Sequence, residues 1–358
     1  MKRKSWLLIL IVVLMAGLML TGCSSGNAPE NENKETGEKE AATEETITLK
    51  YAFFAPANTF PAVQMEKWKE ELEKRTNGKV EVQLFPGGTL LKAQNMYDGV
   101  LSGVADIGLS CPSYEPGRFP LFSIADMPVG YPSGRVASVV LWDLIQEFQP
   151  ASLEEFKVIT VFATEPSFIM STDRIANLED LKGKELRISG GNAPVLQALG
   201  AAPVGMGMGE VSEALQTGVI EGNISSREVL KDFKFVEKTK YVSDYPLTTT
   251  SFAAVMNKKT WDSLPADVQQ VIDELGREMA LFAGGYLDDY VDEVLEWGQK
   301  EQGLEIVSLS AEEKQKWDEL IMPFAVQAAE AAEAEGLAGS KFLDRLFELR
   351  DKYSEQYK

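Results

Sequence analysis

Leu181 to Ser225 reads LKGKELRISGGNAPVLQALGAAPVGMGMGEVSEALQTGVIEGNIS. Arg187 sits inside a short apolar, β-prone strand pattern whose end lies near Ser189. Gly209 to Gln216 reads as a helix, Thr217-Gly218 ends it, and a second strand follows, its end near Ser225. The unit is strand, helix, strand, which predicts parallel pairing across a helical crossover. A guanidinium in an apolar strand is costly to bury unless an anion meets it. Arg187 is therefore the first candidate for a binding residue.

The same rhythm runs upstream. Ile47 to Phe54 is a strand, and Ala62 to Arg75 an amphipathic helix with Val63, Met65, Trp68 and Leu72 on its stripe. Val80 to Phe85 is a strand stopped by Pro86-Gly87-Gly88, and Leu91 to Leu101 is helical. Ala105 to Ser110 and Val158 to Phe162 are strands around a helix from Arg135 to Phe148. Thr249 to Met256 returns as a strand. A long helical pattern then runs from Pro265 toward Gln302, with bends expected at Gly276, Gly284 and Gly285. Leu304 to Val307 and helices from Ala311 and Lys341 complete the chain.

The expected fold is α/β: a two-lobed clamp of mostly parallel sheets, with the long helix bridging the lobes. Lobe I takes 46–164 and 253–292, and lobe II takes 165–252 and 293–358. Ligands of open α/β sheets sit beyond the carboxyl ends of strands. Those ends lie near Phe54, Ser110, Ala163, Ser189 and Ser225, so one cleft between the lobes would gather them.

Composition narrows the chemistry. The 358 residues carry a formal net charge of −20, which argues against nucleic acid and anionic lipid surfaces as partners. There is no histidine, which removes Ser-His-Asp and Cys-His catalysis and His-ligated metal sites. No paired-carboxylate motif stands in for them, so neither enzyme activity, a metal nor a cofactor is expected. Cys111 has no basic neighbour in sequence to activate it and reads as a small buried hydrophobe.

The N-terminus reads as an address. Met1-Lys2-Arg3-Lys4 precedes the apolar run Trp6 to Leu20, a signal-peptide pattern over 1–22. Leu20-Thr21-Gly22-Cys23 resembles the bacterial lipobox, in which Cys23 becomes the lipidated N-terminus. Residues 23–45 read as a flexible acidic tether. Loss of 1–22 leaves 32 basic and 55 acidic residues, net −23. The expected location is extracytoplasmic, in the periplasm or at the cell surface, held by acyl chains such as palmitate at Cys23.

The block Leu181-Lys182-Gly183-Lys184-Glu185-Leu186-Arg187, with Gly209-Glu210 and Ala214 to Gly222, resembles the solute-binding proteins of tripartite ATP-independent periplasmic (TRAP) transporters, of the dicarboxylate-binding receptor type. Gly99 to Gly108 and Val255 to Trp261 add weaker matches, and the likeness spans Ile47 to Glu274. The resemblance implies a Venus-flytrap receptor that captures an organic acid and delivers it to integral-membrane permease subunits. It also implies that Arg187 holds the ligand carboxylate. The chain departs from two family patterns: Asn223-Ile224-Ser225 follows Glu221-Gly222 where sialic-acid-type members carry Gln-Glu-Asn, and Glu-Trp of members with a metal-bridged ligand is missing. Some members carry another arginine near Ser167 to Met170, and this chain has none there.

One anchoring arginine and less polar surroundings favour a monocarboxylate with an apolar or aromatic body. Phe54, Ser110, Tyr114, Met208, Asn223, Ser225 and Phe252 complete the expected ligand-binding set. Glu210 reads as a charge at a helix start, and Arg227 as a solvated charge or a second anion contact. The alternative function is a ligand-presenting sensor subunit that docks on a membrane receptor.

Overall fold

A computed structural model describes residues 46–358. The signal sequence, Cys23 and the tether expected at 1–45 lie outside the described residues. Among the described residues no helix is long and apolar enough to cross a membrane.

The chain starts with β1 (Ile47–Phe53), α1 (Phe60–Arg75), β2 (Val80–Phe85), α2 (Met96–Leu101), β3 (Ile107–Ser110), α3 (Pro120–Asp126), α4 (Gly134–Phe148) and β4 (Phe156–Ala163). It then crosses to β5 (Phe168–Ser171), α5 (Leu178–Leu181), β6 (Glu185–Ile188), α6 (Ala193–Ala198), β7 (Ala202–Gly205), α7 (Val211–Thr217), β8 (Gly222–Ser225), α8 (Val229–Asp232) and β9 (Tyr241–Ser243). It returns through β10 (Ser251–Asn257), α9 (Lys258–Ser263) and α10 (Ala266–Glu301), and finishes with β11 (Glu305–Val307), α11 (Ala311–Ile321), α12 (Pro323–Ala334) and α13 (Gly339–Gln356).

Two sheets result, ordered β2-β1-β3-β10-β4 and β11-β9-β5-β8-β6-β7. Each α/β crossover gives parallel pairs, as in β1 with β2 and β3, and β6 with β7 and β8. The sheets are more mixed than the crossover rhythm predicts. β10 runs antiparallel to both β3 and β4, and β5 runs antiparallel to both β8 and β9. Both strands belong to the segments that cross between sheets, so each enters its sheet against the direction of the local βαβ units.

Helix α10 is uninterrupted over 36 residues. The bends expected at its glycines do not break it; those glycines instead let neighbours approach. A Cβ on Gly276 would lie 2.2 Å from the Trp142 ring, and one on Gly284 would lie 2.5 Å from the Gly134 carbonyl. Close approach lets Asp288 of α10 accept from the Gly134 and Arg135 amides at 2.7 and 3.0 Å, capping α4 across the interface. The start of α10 packs with α1 and α4, and Val294 near its end joins the apolar core around Met170, Val211 and Leu230 of the second sheet.

At the C-terminus β11 pairs with β9, whereas α12 and α13 pack on α3 and α4. The rings of Phe342 and Phe148 meet edge to face at 5.1 Å, and the Tyr353 hydroxyl donates to Asp143 at 2.5 Å. The segment expected to belong to lobe II is thus shared between the second sheet and helices that follow the first. Helix α12 was not legible as a separate element; Pro323 restarts a helix directly after Ile321.

The chain crossings are fastened by a buried carboxyl. Asp126 at the end of α3 accepts from the Ser251 amide at 2.8 Å and from its hydroxyl at 2.5 Å. Burial pushes the Asp126 carboxyl up to about 7, and the two Ser251 donors only partly offset this. Between the unfolded value, about 4, and this raised value the folded chain holds a proton that the unfolded chain has released. Asp126 therefore makes the protein less stable as pH rises across that window. We expect Asp126→Asn to flatten the fall in Tm between pH 5 and 7; an unchanged slope counts against it. Gly284→Ala should lose on the order of 1–3 kcal/mol through forced separation of α10 and α4, read as a lower urea midpoint at unchanged m-value.

Candidate ligand-binding cleft

Strand alternation decides where Arg187 points. Leu186 and Ile188 are fully buried in the apolar core with Val195 and Leu196, which turns Arg187 to the opposite face. There it is 2% exposed. Its guanidinium is held by neutral oxygens. Nε and Nη2 donate to the Met206 carbonyl at 3.1 and 2.9 Å, Nη2 also reaches the Tyr114 hydroxyl at 3.2 Å, and Nη1 reaches Asn223 Oδ1 at 3.4 Å. Among the described residues no carboxylate pairs with it.

The loop that supplies the Met206 carbonyl is shaped by Glu210. Its carboxylate accepts from the Gly207 amide at 3.0 Å and starts α7. This is the helix-start role read from the sequence. Asn223 lies beside Arg187 because β6 and β8 are paired in register at those two residues.

Arg187 opens onto a cleft with about 460 Å³ of empty space, the open solvent at its mouth included. Of the expected ligand-binding residues, Phe54, Tyr114, Arg187, Met208, Ser225 and Phe252 line this one cleft. Asn223 is set behind Arg187, with its amide nitrogen buried and unpaired. Ser110 is not part of the lining. Its hydroxyl donates to the Ala93 carbonyl at 3.0 Å and its own carbonyl accepts from Tyr97, so it is spent inside the first lobe.

The first sheet contributes an aromatic wall. Phe54 meets Tyr114 edge to face at 5.3 Å, and Phe60 meets Phe252 at 5.6 Å. Phe252 stacks on Phe162 at 5.2 Å. Burial pushes the Tyr114 hydroxyl up to about 12, against the pull of Arg187, so it stays protonated at neutral pH. Cys111 also lines the cleft; burial raises its thiol well above the ordinary value, which suits an unreactive apolar contact. Hydrogen bonds that join the lobes at the cleft include Arg187 to Tyr114, and Asn58 to the Asp232 carbonyl at 3.1 Å.

Arg227 is neither a solvated charge nor free for a ligand. It forms a two-pronged pair with Glu165, at 3.0 and 2.5 Å, and lies 4.0 Å over the Phe168 ring. The residue after it was missed by sequence reasoning. Glu228 lines the cleft, is 4% exposed, and has one carboxyl oxygen without a hydrogen-bond partner. Burial pushes its carboxyl up to about 8, the Ser226 hydroxyl offsetting this in part. Ser-Ser-Arg-Glu reads as a polar loop, so no local pattern announces a buried carboxyl there.

Comparison with known proteins agrees with this architecture. The family described as DctP, bacterial extracellular solute-binding protein, family 7, matches residues 51–331. The C4-dicarboxylate-binding periplasmic protein DctP of Rhodobacter capsulatus is 27% identical over 307 residues, 84% of this chain and 92% of that protein. A TRAP solute-binding protein of Desulfovibrio salexigens is 44% identical with a TM-score of 0.78, covering 88% of this chain and 98% of its own. That structure is an open complex with the C-terminus of a symmetry mate in the ligand-binding site. A marine metagenome TRAP protein specific for aromatic acid ligands, solved with 3-hydroxybenzoate, is 28% identical with a TM-score of 0.81, covering 86% and 99% of the two chains. A TRAP protein of Rhodoferax ferrireducens with copurified benzoate is 25% identical with a TM-score of 0.82, covering 87% of this chain and 100% of that one. The chain belongs to the bacterial extracellular solute-binding protein family 7, the solute-binding proteins of TRAP transporters, which are transport receptors and not enzymes.

Proposed function

We propose that this receptor captures a small organic monocarboxylate with an apolar or aromatic body, held by a salt bridge from Arg187 and enclosed by closure of the two lobes. The observation that carries the reading is the buried guanidinium of Arg187, whose partners are all neutral oxygens. A cation so placed gains most from a carboxylate, which matches its planar fork and is strengthened by exclusion of water. The remainder of the cleft asks for little further charge. Six of its lining residues are aromatic, and among the described residues Arg187 is the one cation in the lining.

The relatives support the same class. Benzoate and 3-hydroxybenzoate occupy the Rhodoferax and metagenome proteins, and a chain terminus occupies the Desulfovibrio protein. Each is compatible with a single carboxylate entering a site like this one. A second carboxylate on the ligand would gain from a second cation, and here Arg227, the next candidate, is already paired with Glu165.

The loaded clamp hands its ligand to integral-membrane permease subunits of the TRAP type. Cys23 in Leu20-Thr21-Gly22-Cys23 anchors the chain to the membrane through acyl groups, with residues 23–45 as the tether. At micromolar affinity the binding free energy is about −8 kcal/mol. One arginine–carboxylate pair supplies only part of that, so desolvation of an apolar ligand body against the aromatic wall supplies the rest.

Two measurements test this. A hundredfold excess of an aromatic monocarboxylate over Kd should stabilise the wild type by about 2.7 kcal/mol. Arg187→Ala should fold and lose that ligand-induced shift; a retained shift removes Arg187 from the site. Cys23→Ser should move the protein from the membrane fraction to the soluble extracytoplasmic fraction, and continued membrane association would rule out the acyl anchor.

A further inference from the structure

The cleft carries a second polar pole with no work inside the protein. Glu228 stands just before α8, 4% exposed, and its Oε2 makes no hydrogen bond. The hydroxyl of Ser226, 0% exposed, lies beside this carboxyl and has no other partner among the described residues. Both residues line the same cleft as Arg187.

The cations near Glu228 in sequence are committed elsewhere. Arg227 is held by Glu165, and the Lys231 ammonium lies over the rings of Tyr290 and Trp297 at 5.5 and 5.7 Å. The nearest carboxyls, Glu165 and Asp232, oppose ionisation of Glu228 rather than promote it. An unsatisfied buried carboxyl costs stability. In a ligand-binding cleft such a group is matched by the ligand.

We propose that Glu228, with Ser226, is a specificity-determining site for a hydroxyl group on the ligand body, so that the solute is a hydroxylated aromatic monocarboxylate. The assignment rests on the carboxylate reading of Arg187. The carboxyl, kept protonated at neutral pH by burial, is both donor and acceptor, as is a hydroxyl. Pairing the two satisfies both without bringing another charge into the apolar cleft. An ammonium group would have to drive ionisation of Glu228 against burial and two neighbouring carboxyls. The arrangement also divides labour between the lobes: β6 and the segment after β8 supply the two polar poles, and the first sheet supplies much of the aromatic wall.

The test uses the purified folded receptor, freed of copurified ligand by refolding, and calorimetric titration with benzoate and with 2-, 3- and 4-hydroxybenzoate. At least one hydroxybenzoate should bind tenfold or more tightly than benzoate. Glu228→Met should erase that preference, the hydroxybenzoates losing more affinity than benzoate, and Glu228→Gln should keep part of it. Thermal melting of apo Glu228→Met should show a folded protein of equal or greater stability, since the variant removes an unpaired carboxyl. Equal binding of benzoate and all three hydroxybenzoates by the wild type overturns the Glu228 assignment alone. So does a preference that survives in Glu228→Met. Tighter binding of 3-(aminomethyl)benzoate than of any hydroxybenzoate overturns it in favour of a cationic group. Binding of no benzoate at all overturns the carboxylate reading itself and this assignment with it.

Discussion

A guanidinium that is 2% exposed and surrounded by neutral acceptors is the constraint from which the organisation of this protein follows. Such a group is tolerated only when its donors are occupied and when it has some route to an opposite charge. The fold meets the first condition with the Met206 carbonyl, Asn223 and Tyr114. The strand pairing places Asn223 opposite Arg187, the Glu210 cap shapes the loop bearing Met206, and the opposing lobe brings Tyr114. Three separate pieces of local structure thus converge on one side chain.

The electrostatics of the cleft are economical. The chain is strongly acidic, yet among the described residues the cleft lining holds one cation and one carboxyl, while Arg227 is paired with Glu165 and Lys231 lies over aromatic rings. Local arrangement, not net charge, decides what such a receptor accepts. The Glu165–Arg227 pair matters here for what it withholds: it neutralises a second guanidinium close to the cleft.

Much of this was legible in the chain. Strand and helix periods locate β1, β2 and α4 closely, because each has a clear apolar pattern and a turn signal close to its end. Arg187 stood out because a charge interrupts an apolar strand. Other features left no local trace. All four residues of β3 are buried, so alternation gives no face for Ser110, and it turns away from the cleft. Strand direction is absent from a residue pattern, so the antiparallel entry of β5 and β10 was not readable. Glu228 follows Ser-Ser-Arg in what reads as a loop, and only the packing of α8 and the first lobe buries it.

The position of β10 has a consequence for how the molecule comes into being. It lies between β3 and β4 in the first sheet, yet it follows β4 in sequence only after the whole of the second α/β unit. Until it arrives, β3 and β4 have no shared neighbour, and the first sheet is two unjoined fragments. Closing the loop from β4 to β10 is costly in chain entropy, so the first lobe completes late and through contacts distant in sequence. Its exposed strand edges persist meanwhile, which makes the nascent chain dependent on protection from aggregation during synthesis and export. The same threading that ties the two lobes into one clamp sets the pace at which either lobe can form.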